Sequence, residues 1–450
     1  MSYGWTYLSK LLATILSITV LIPTMFFSVP GCSRQPIDTT DSTTTSKTET
    51  TTSPPDTPTL MTEVRGVWIA SVINIDFPSK PGLSASQLRA ELDDIIATTL
   101  SANLNAIYFQ VRPTGDALYK SDIFPTSAYL TGTQGAPLNG GFDPLEYLLE
   151  KAHEKGLKVH AWVNPLRVTS GSASKPNTDV TKLAANNPAR KNPSWVIPYD
   201  NGMLYYDAGI PEVRKLIADG CAEIVSKYDV DGIVFDDYFY PYPTTISVGG
   251  QSVVAPFNDN HTFAKYASPN QKLDDWRREN INKMVEDCYK TIKDINPNCQ
   301  FGIAPFGIWQ NNDGKNGGSD TNGLSSYSAI YCDPIAWIRG GYIDYIAPQI
   351  YWQFSTEVAR YDVLTRWWNE KVQGTNVDLL ICHGVYRYDE WKNPSGEITN
   401  QIEFARDQNN YRGSIMYGYK QIKANKFGLT DELKAAYKDI IYYPTSNKQT

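Results

Sequence analysis

The chain has 450 residues, of which 41% are hydrophobic and 20% charged, and its formal net charge is -7. This composition is typical of a globular protein, and the length suits a single barrel domain with insertions. The acidic balance, without a basic run or stripe, argues against a nucleic-acid partner or an anionic membrane surface.

The first 31 residues predict a secretory signal peptide. Lys10 precedes an apolar run over residues 11–29, and Cys32 follows directly after Pro30 and Gly31. A short apolar segment behind a positive charge is typical of an export signal. A small residue before Cys32 and Val29 three positions back resemble a bacterial lipobox, although Pro30 is unusual there. The sequence therefore predicts lipidation of Cys32 and an exported cell-surface lipoprotein that meets the membrane only through its lipid anchor. An uncleaved signal anchor is the alternative.

Residues 33–62 are mostly Thr, Ser, Asp and Pro. Such a segment cannot bury enough apolar surface to fold, so residues 32–62 predict a lipidated cysteine and a disordered tether. The barrel domain is expected at residues 63–442, with a tail at 443–450. The odd number of further cysteines, without CxxC spacing, argues against a disulfide framework or a zinc site. These are Cys221, Cys288, Cys299, Cys332 and Cys382.

Eight short apolar runs alternate with amphipathic stretches beyond residue 62. The runs lie at residues 65–71, 106–112, 158–164, 232–238, 301–307, 345–352, 379–387 and 413–419. Strands that are covered on both faces have this nearly continuous apolar character. The pattern predicts an α/β fold, a (β/α)8 TIM barrel with long strand-to-helix loops. A doubly wound open sheet is the competing interpretation.

Helix signals and loop lengths orient this barrel. Ser84 and Gln87 form a capping-box pattern, and Pro211 suits the first position of a helix. The connections from helix to strand are short, whereas those from strand to helix are long, at about 165–210, 241–271 and 308–331. Barrel enzymes carry their sites above the C-terminal strand ends, so these loops indicate the functional face.

Polar residues collect at the C-terminal ends of five predicted strands. They are Arg112, Asn164, Asp236 with Asp237, Gln349 and His383. Any one of them alone has a structural explanation, since a buried charge needs a partner. The same placement on five strands favours a functional site, in which we expect Arg112, Asn164, Gln349 and His383 to bind substrate.

The adjacent carboxylates Asp236 and Asp237 predict glycoside chemistry by one of two routes. In the first, one aspartate works with a second carboxyl on the rim, for which Asp116 and Asp76 are candidates. In the second, an N-acetyl group of the substrate is the nucleophile, Asp236 orients it and Asp237 protonates the leaving oxygen. Because successive strand residues point to opposite sides, both can face the barrel only if the strand breaks there. A purely structural aspartate pair is the alternative.

Aromatic residues near these strand ends are either platforms for sugar rings or packing. They are Tyr238, Tyr240, Trp309, Tyr351 and Trp352. Arg112 shares a strand face with Gln110, so it either reaches the aspartate pair or forms a structural ion pair. His160 is expected to be a core histidine. With four histidines and no HxH or HExxH pattern, the sequence predicts no metal and no cofactor.

Several of these segments resemble the glycosyl hydrolase-like 10 family of bacterial exported proteins. The resemblance runs from about Glu63 to Tyr419, and its motifs lie at residues 65–68, 109–117, 161–165, 232–241, 301–309 and 346–352. It implies a barrel and a carbohydrate substrate, such as a cell-wall glycan rich in N-acetylated sugars, which would favour the second route. Ala304 and Leu166 depart from the expected Ser and aromatic residue, and neither change removes a carboxylate.

The leading prediction is a glycoside hydrolase that cleaves O-glycosidic bonds in an extracellular polysaccharide or peptidoglycan strand. The alternative is a non-catalytic glycan-binding surface lipoprotein on the same scaffold. Both use an aromatic cleft, but only the enzyme needs the aspartate pair.

Overall fold

The computed structural model describes residues 60–444, so the predicted signal peptide, Cys32 and most of the tether lie outside the described residues. The described chain contains a closed barrel of eight parallel strands, each paired with its neighbours in chain order. The predicted (β/α)8 barrel is therefore confirmed. Between residues 60 and 444, no helix has both the length and the apolar character needed to cross a membrane.

The barrel strands are numbered β1 to β8 along the chain. They are β1 (Val64–Ile69), β2 (Ala106–Arg112), β3 (Lys158–Val163), β4 (Gly232–Phe235), β5 (Gln300–Ile303), β6 (Tyr345–Ile346), β7 (Asp378–His383) and β8 (Tyr411–Met416). The main helices that follow them are α1 (Ala85–Ser101), α2 (Pro144–His153), α3 (Pro211–Lys227), α4 (Leu273–Ile295), α5 (Pro334–Gly340), α6 (Tyr361–Val372), α7 (Glu397–Arg406) and α8 (Leu429–Ala436). Shorter helices lie in the loops, at Ala128–Thr131, Pro188–Lys191, Asn260–Tyr266, Ser326–Ala329 and Tyr419–Lys423.

The two helix starts predicted at Ser84 and Pro211 are present in the structure. Ser84 caps α1, because its side chain accepts from the Gln87 backbone and the Gln87 side chain accepts from the Ser84 backbone. Pro211 is the first residue of α3, where its missing N–H costs nothing.

Several strands end earlier than the sequence indicated. The run at 345–352 forms a regular strand only over Tyr345–Ile346. Beyond it, Gln349 forms isolated β-bridges with Phe306 and Cys382. Pro348 has no N–H for a strand ladder, which accounts for the break. The early ends of the strands leave irregular backbone at the barrel mouth.

Side chains inside and outside the barrel form two separate apolar clusters. The inner cluster includes Trp68, Tyr108, Trp162 and Tyr345, with Trp68 packed edge-on against Trp162 at 4.9 Å between ring centroids. The outer cluster fills the space between the strands and the helices. His160 belongs to the inner side, stacked on Tyr108 at 4.7 Å, and is the core histidine that the sequence predicted.

The long loops stand at the C-terminal ends of the strands. The loop after β3 contains a hairpin of Val196–Tyr199 with Met203–Tyr206, and the loop after β4 contains one of Thr245–Val248 with Gln251–Val254. Near the opposite ends, Leu60–Thr62 pairs antiparallel with Tyr442–Pro444. This pairing adds residues 60–62, which the sequence assigned to the tether, and residues 443–444 to the structured part of the chain.

Candidate active site

Asp236 is the first residue after β4 and is held by donors from β3. It is 4% exposed, and its Oδ2 accepts hydrogen bonds from Trp162 Nε1 at 3.0 Å and Asn164 Nδ2 at 2.5 Å. Its Oδ1 accepts from the backbone N–H of Tyr238 at 3.1 Å. Three donors therefore fix both oxygens of this carboxylate.

A chain of hydrogen bonds ties this carboxylate to the ends of three further strands. Gln110 donates to the Asn164 side-chain oxygen at 2.6 Å, which leaves the Asn164 nitrogen to face Asp236. Gln110 in turn accepts from the backbone N–H groups of Ser71 and Val72 at 2.8 and 2.9 Å. The orientation of Asp236 is thus set by residues at the ends of β1, β2, β3 and β4.

Asp237 lies beside Asp236 and has its own donors. It is 3% exposed, the Tyr242 hydroxyl donates to its Oδ2, and Gln349 Nε2 donates to its Oδ1 at 2.9 Å. Gln349 also donates to the Ala304 carbonyl oxygen at 2.8 Å. Because β4 ends at Phe235, strict side-chain alternation has stopped and both carboxylates reach polar partners at the mouth.

The electrostatics of the pair favour a retained proton. Burial, followed by the charge of Asp237, raises the pKa of Asp236 to about 7, and burial also raises the pKa of Asp237. The charge of Arg167 lowers both pKa values, and this guanidinium is held by the Pro113 carbonyl oxygen and the Tyr238 ring. Two adjacent buried carboxyls titrate as a unit, and the two raised pKa values favour protonation of the pair as the pH falls towards neutral.

Half-buried tyrosines surround the mouth. Tyr351 stacks on Tyr417 with 5.8 Å between ring centroids, and Tyr386 packs edge-on against both. Tyr238 and Tyr242 form a second edge-on pair at 5.6 Å. After burial, nearby charges raise the pKa of two hydroxyls, with Asp237 acting on Tyr351 and Asp236 on Tyr417. These tyrosines therefore border the aspartate pair and offer ring faces to a sugar.

Asp76 is a further carboxyl at this mouth. It is half-buried in the loop after β1, and its Oδ2 accepts from the backbone N–H of Ala70, the first residue after the strand, at 2.9 Å. Burial raises its pKa to about 7, and its charge raises the pKa of Tyr417. Asp76 and Asp236 therefore both act on the Tyr417 hydroxyl.

Asp116, which the sequence offers as a rim partner, lies in the loop after β2, and its work with the pair stays a prediction. It is 3% exposed and accepts from Thr114 at 2.8 Å and from Gln134 at 2.9 Å. Both of its oxygens thus accept hydrogen bonds from residues of the loop after β2, and these bonds help to hold that loop.

The prediction that Arg112 and His383 contact the substrate is wrong. Both side chains point to the outer face of the barrel, away from the mouth. The pairing register of β2 with β3 shifts between Gln110 and Arg112, which marks a β-bulge. This bulge leaves Gln110 at the mouth, whereas Arg112 packs under the helices. His383 follows the inward-facing Cys382, so it hydrogen-bonds to Gln401 and Ser414 in the outer layer. Burial lowers its pKa to about 4.

Tyr240 is a packing residue and not a sugar platform, whereas contact of Trp309 with a sugar stays a prediction. Tyr240 is 2% exposed, between Phe257 and Tyr331. Trp309 stacks on Trp367 of α6 at 5.8 Å, so one of its ring faces is occupied.

Of the other predicted residues, Asn164 and Gln349 hydrogen-bond to the pair, and Tyr238 and Tyr351 border it. Trp352 lies farther out, edge-on to Phe306 at 5.5 Å. Their contact with a substrate stays a prediction.

Sequence reasoning missed several residues that shape the site. Alternation places Trp162 on the same strand face as Asn164, two residues on, but it does not indicate that the Trp162 indole donates to Asp236. Tyr242 and Arg167 lie on long loops, where no periodicity fixes direction. Tyr386 and Tyr417 lie just past β7 and β8, where aromatic residues at strand ends were a usable signal. Among residues 60–444, no group of three or more His, Cys, Asp or Glu side chains could hold a metal ion, and the five cysteines there are buried and unpaired.

Comparison with known proteins identifies the relatives of this barrel. The family model of glycosyl hydrolase-like 10 matches residues 63–395. The glycosyl hydrolase YngK of Bacillus subtilis (strain 168) is 41% identical over 378 residues, which cover 82% of this chain and 71% of the relative. The glycosyl hydrolase DigH of Escherichia coli (strain K12) is 39% identical over 339 residues, which cover 73% and 74%.

Among solved structures, the PgaB (BpsB) glycoside hydrolase domain of Bordetella bronchiseptica has a TM-score of 0.50 at 12% identity. The match covers 83% of this chain and 99% of that domain. At this identity the likeness shows the fold alone. The extent of the family match and the identity to these relatives show that the chain belongs to the glycosyl hydrolase-like 10 family.

Proposed function

We propose that the chain is a glycoside hydrolase that cleaves O-glycosidic bonds in an extracellular polysaccharide or cell-wall glycan, with Asp236 and Asp237 as its catalytic carboxylates. The observation that carries this proposal is the buried, hydrogen-bonded aspartate pair at the C-terminal end of β4. A carboxyl that keeps its proton near neutral pH can protonate a leaving glycosidic oxygen, while its ionised neighbour stabilises positive charge. Family membership supports the same reaction class.

Of the two routes, we favour the one that uses an N-acetyl group of the substrate. The first route needs a separate carboxyl to complete the pair, and Asp116 is committed to its own loop. In the second route Asp236, whose oxygens are fixed by three donors, orients the acetamide. Asp237 then gives its proton to the leaving oxygen. Asp76 remains the rim carboxyl through which the first route would operate.

The tyrosines at the mouth supply the binding surface in this proposal. Tyr351, Tyr386 and Tyr417 lie on one side, and Tyr238 with Tyr242 lies beside the pair. Ring faces suit the apolar faces of pyranose rings, and the hydroxyl groups suit their polar edges. The N-terminal pattern at Cys32 supports placing this activity outside the cell, on a lipid-anchored protein.

A glycan digestion screen with products identified by mass tests the activity. We expect the wild-type chain to release fragments from an N-acetylated glycan, and Asp236→Asn/Asp237→Asn to release none. Products from the double variant at the wild-type rate would contradict the assignment. A wild-type chain that binds a glycan saturably but never cleaves it would instead identify a binding protein.

Two matched oligosaccharides separate the routes. We expect cleavage of a substrate with a 2-acetamido group and none of its 2-hydroxy analogue, with retention at the anomeric carbon. Equal cleavage of both, together with loss of activity in Asp76→Asn, would assign the reaction to the route through Asp76.

A further inference from the structure

Arg112 is a fully buried cation without a hydrogen-bond acceptor. Its side chain is 0% exposed, and Nε and both terminal nitrogens make no hydrogen bond to any residue from 60 to 444. The Phe124 ring lies 3.8 Å from the centre of the guanidinium. Attraction to a ring offsets only part of the cost of burying an unpaired charge.

The surrounding chain is built to receive this guanidinium. Gly220 lies in the interior of α3, where glycine is about 1 kcal/mol less favourable than alanine. A Cβ at that position would stand 2.4 Å from an Arg112 terminal nitrogen and 2.9 Å from Phe124. The helix therefore omits a side chain where the guanidinium approaches it.

Two further donors lie close to Arg112. The hydroxyls of Tyr119 and Tyr206 are buried, 1% exposed as residues, and no residue from 60 to 444 accepts a hydrogen bond from either of them; their polar neighbours are the Ser121 hydroxyl and the Ala189 backbone N–H. Burial raises the pKa of both hydroxyls, and the charge of Arg112 is the next cause, which lowers it. Five guanidinium N–H groups and two hydroxyls thus lie in a part of the core that is rich in donors and poor in acceptors.

The nearby carboxylates do not fill this need. Glu223, which acts on Tyr119, accepts from Ser121 and the Asp122 backbone and pairs with Lys227 at 3.1 Å. Asp116, which acts on Tyr206, is bonded to Thr114 and Gln134. Each carboxylate is already compensated elsewhere.

We propose that Arg112, Tyr119 and Tyr206 bind a small inorganic anion of the halide class, such as chloride, between the outer face of β2 and α3. An anion accepts from every donor and neutralises the guanidinium, whereas a water must also find acceptors for its own two protons. Because Arg112, Tyr119 and Tyr206 are each at most 1% exposed, the proposal is for a monoatomic ion, which needs less space than a polyatomic one. The ion fixes the end of β2, two residues after Gln110, and this proposal does not depend on the proposed hydrolase activity.

Crystals of the full chain grown in sodium bromide give the direct test. We expect an anomalous peak in hydrogen-bond contact with the Arg112 nitrogens, and no such peak in Arg112→Met crystals. Density at this position that is water alone, without anomalous signal, would overturn the proposal.

Thermal unfolding in chloride, with gluconate as the matched-ionic-strength control, gives an independent test. We expect the wild-type Tm to rise saturably with chloride, because a ligand bound only by the folded state stabilises it. Tyr119→Phe and Tyr206→Phe each remove one donor and should need about tenfold more chloride for the same rise. Arg112→Met should lose the dependence, whereas Arg277→Met should keep it, since Arg277 is buried but paired with Asp259. A wild-type Tm equal in the two salts, or an unchanged dependence in both tyrosine variants, would overturn the proposal even if Arg112→Met does not fold.

Discussion

The inner and outer faces of the barrel strands both carry polar residues at the C-terminal strand ends, but the surroundings of these residues differ. On the inner side, Asn164 and Gln349 hydrogen-bond to the aspartate pair at the open mouth. On the outer side, Arg112 and His383 are 0% exposed beneath the helices. The difference shows that a polar residue at a strand end reports on function only when its side chain faces the mouth.

Removing an inner-side positioning group should have a large effect on catalysis. We expect Asn164→Ala to lower kcat about 100-fold, because loss of its hydrogen bond frees Asp236 to move from its productive position. The pH profile should also shift, since this bond lowers the pKa of Asp236, which titrates together with Asp237. Steady-state kinetics across pH measure both.

Asn187→Ala is the matched control. Asn187 is equally buried but donates to the Gly115 carbonyl oxygen in the loop after β2. The Asn187→Ala substitution should lower Tm and leave kcat and the pH profile unchanged. Equal losses of kcat in both variants would remove the distinction between the two regions.

Aromatic residues should divide in the same way, with a smaller effect. We expect Tyr351→Ala to raise KM about three- to tenfold by removing a ring at the mouth. Trp309→Phe should leave KM unchanged, because one face of the Trp309 ring packs on Trp367 and its indole N–H donates to Asp333. Initial rates on a soluble oligosaccharide check both, and a KM that responds to Trp309→Phe alone would mean that the sugar lies over the loop after β5.

The pH dependence of stability should show the smallest effect. The pKa of Asp236 is about 7 in the folded chain against an ordinary value of 3.8, so between these pH values the folded state holds a proton that the unfolded state has lost. The contribution of this protonated carboxyl to the stability of the folded state is fully present below pH 3.8 and is lost as the pH rises through 7. We therefore expect the Tm of Asp236→Asn, minus that of wild type, to increase by a few degrees from pH 4 to 7 and then to level off.

Asp313→Asn is the control of opposite sign for this measurement. Backbone N–H groups of Asn316 and Lys315 lower the pKa of this exposed carboxylate. The Tm of Asp313→Asn, minus that of wild type, should stay constant or fall slightly as the pH rises from 4 to 7. A Tm difference for Asp236→Asn that also falls as pH rises would contradict a raised pKa at that position.

The fold followed from the sequence because apolar runs and loop lengths repeat eight times and do not depend on any single residue. The aspartate pair also followed, since it comes directly after an apolar strand. The direction of Arg112 did not, because one bulge in β2 reverses the face that alternation assigns to it. Trp309 and Tyr240 could not be placed either, since partners distant in sequence decide whether a loop aromatic packs or stays open.

Turnover of one N-acetylated glycan by Asp237→Asn and Asp116→Asn tests the central claim most directly. Both substitutions convert a buried aspartate to its amide, one in the pair and one in the loop after β2. If the pair carries the chemistry, Asp237→Asn should lower kcat about 10²- to 10⁴-fold, as expected for loss of a general acid, while Asp116→Asn stays within about tenfold of wild type. An Asp237→Asn variant that keeps its kcat, or an equal loss in Asp116→Asn, would contradict the assignment.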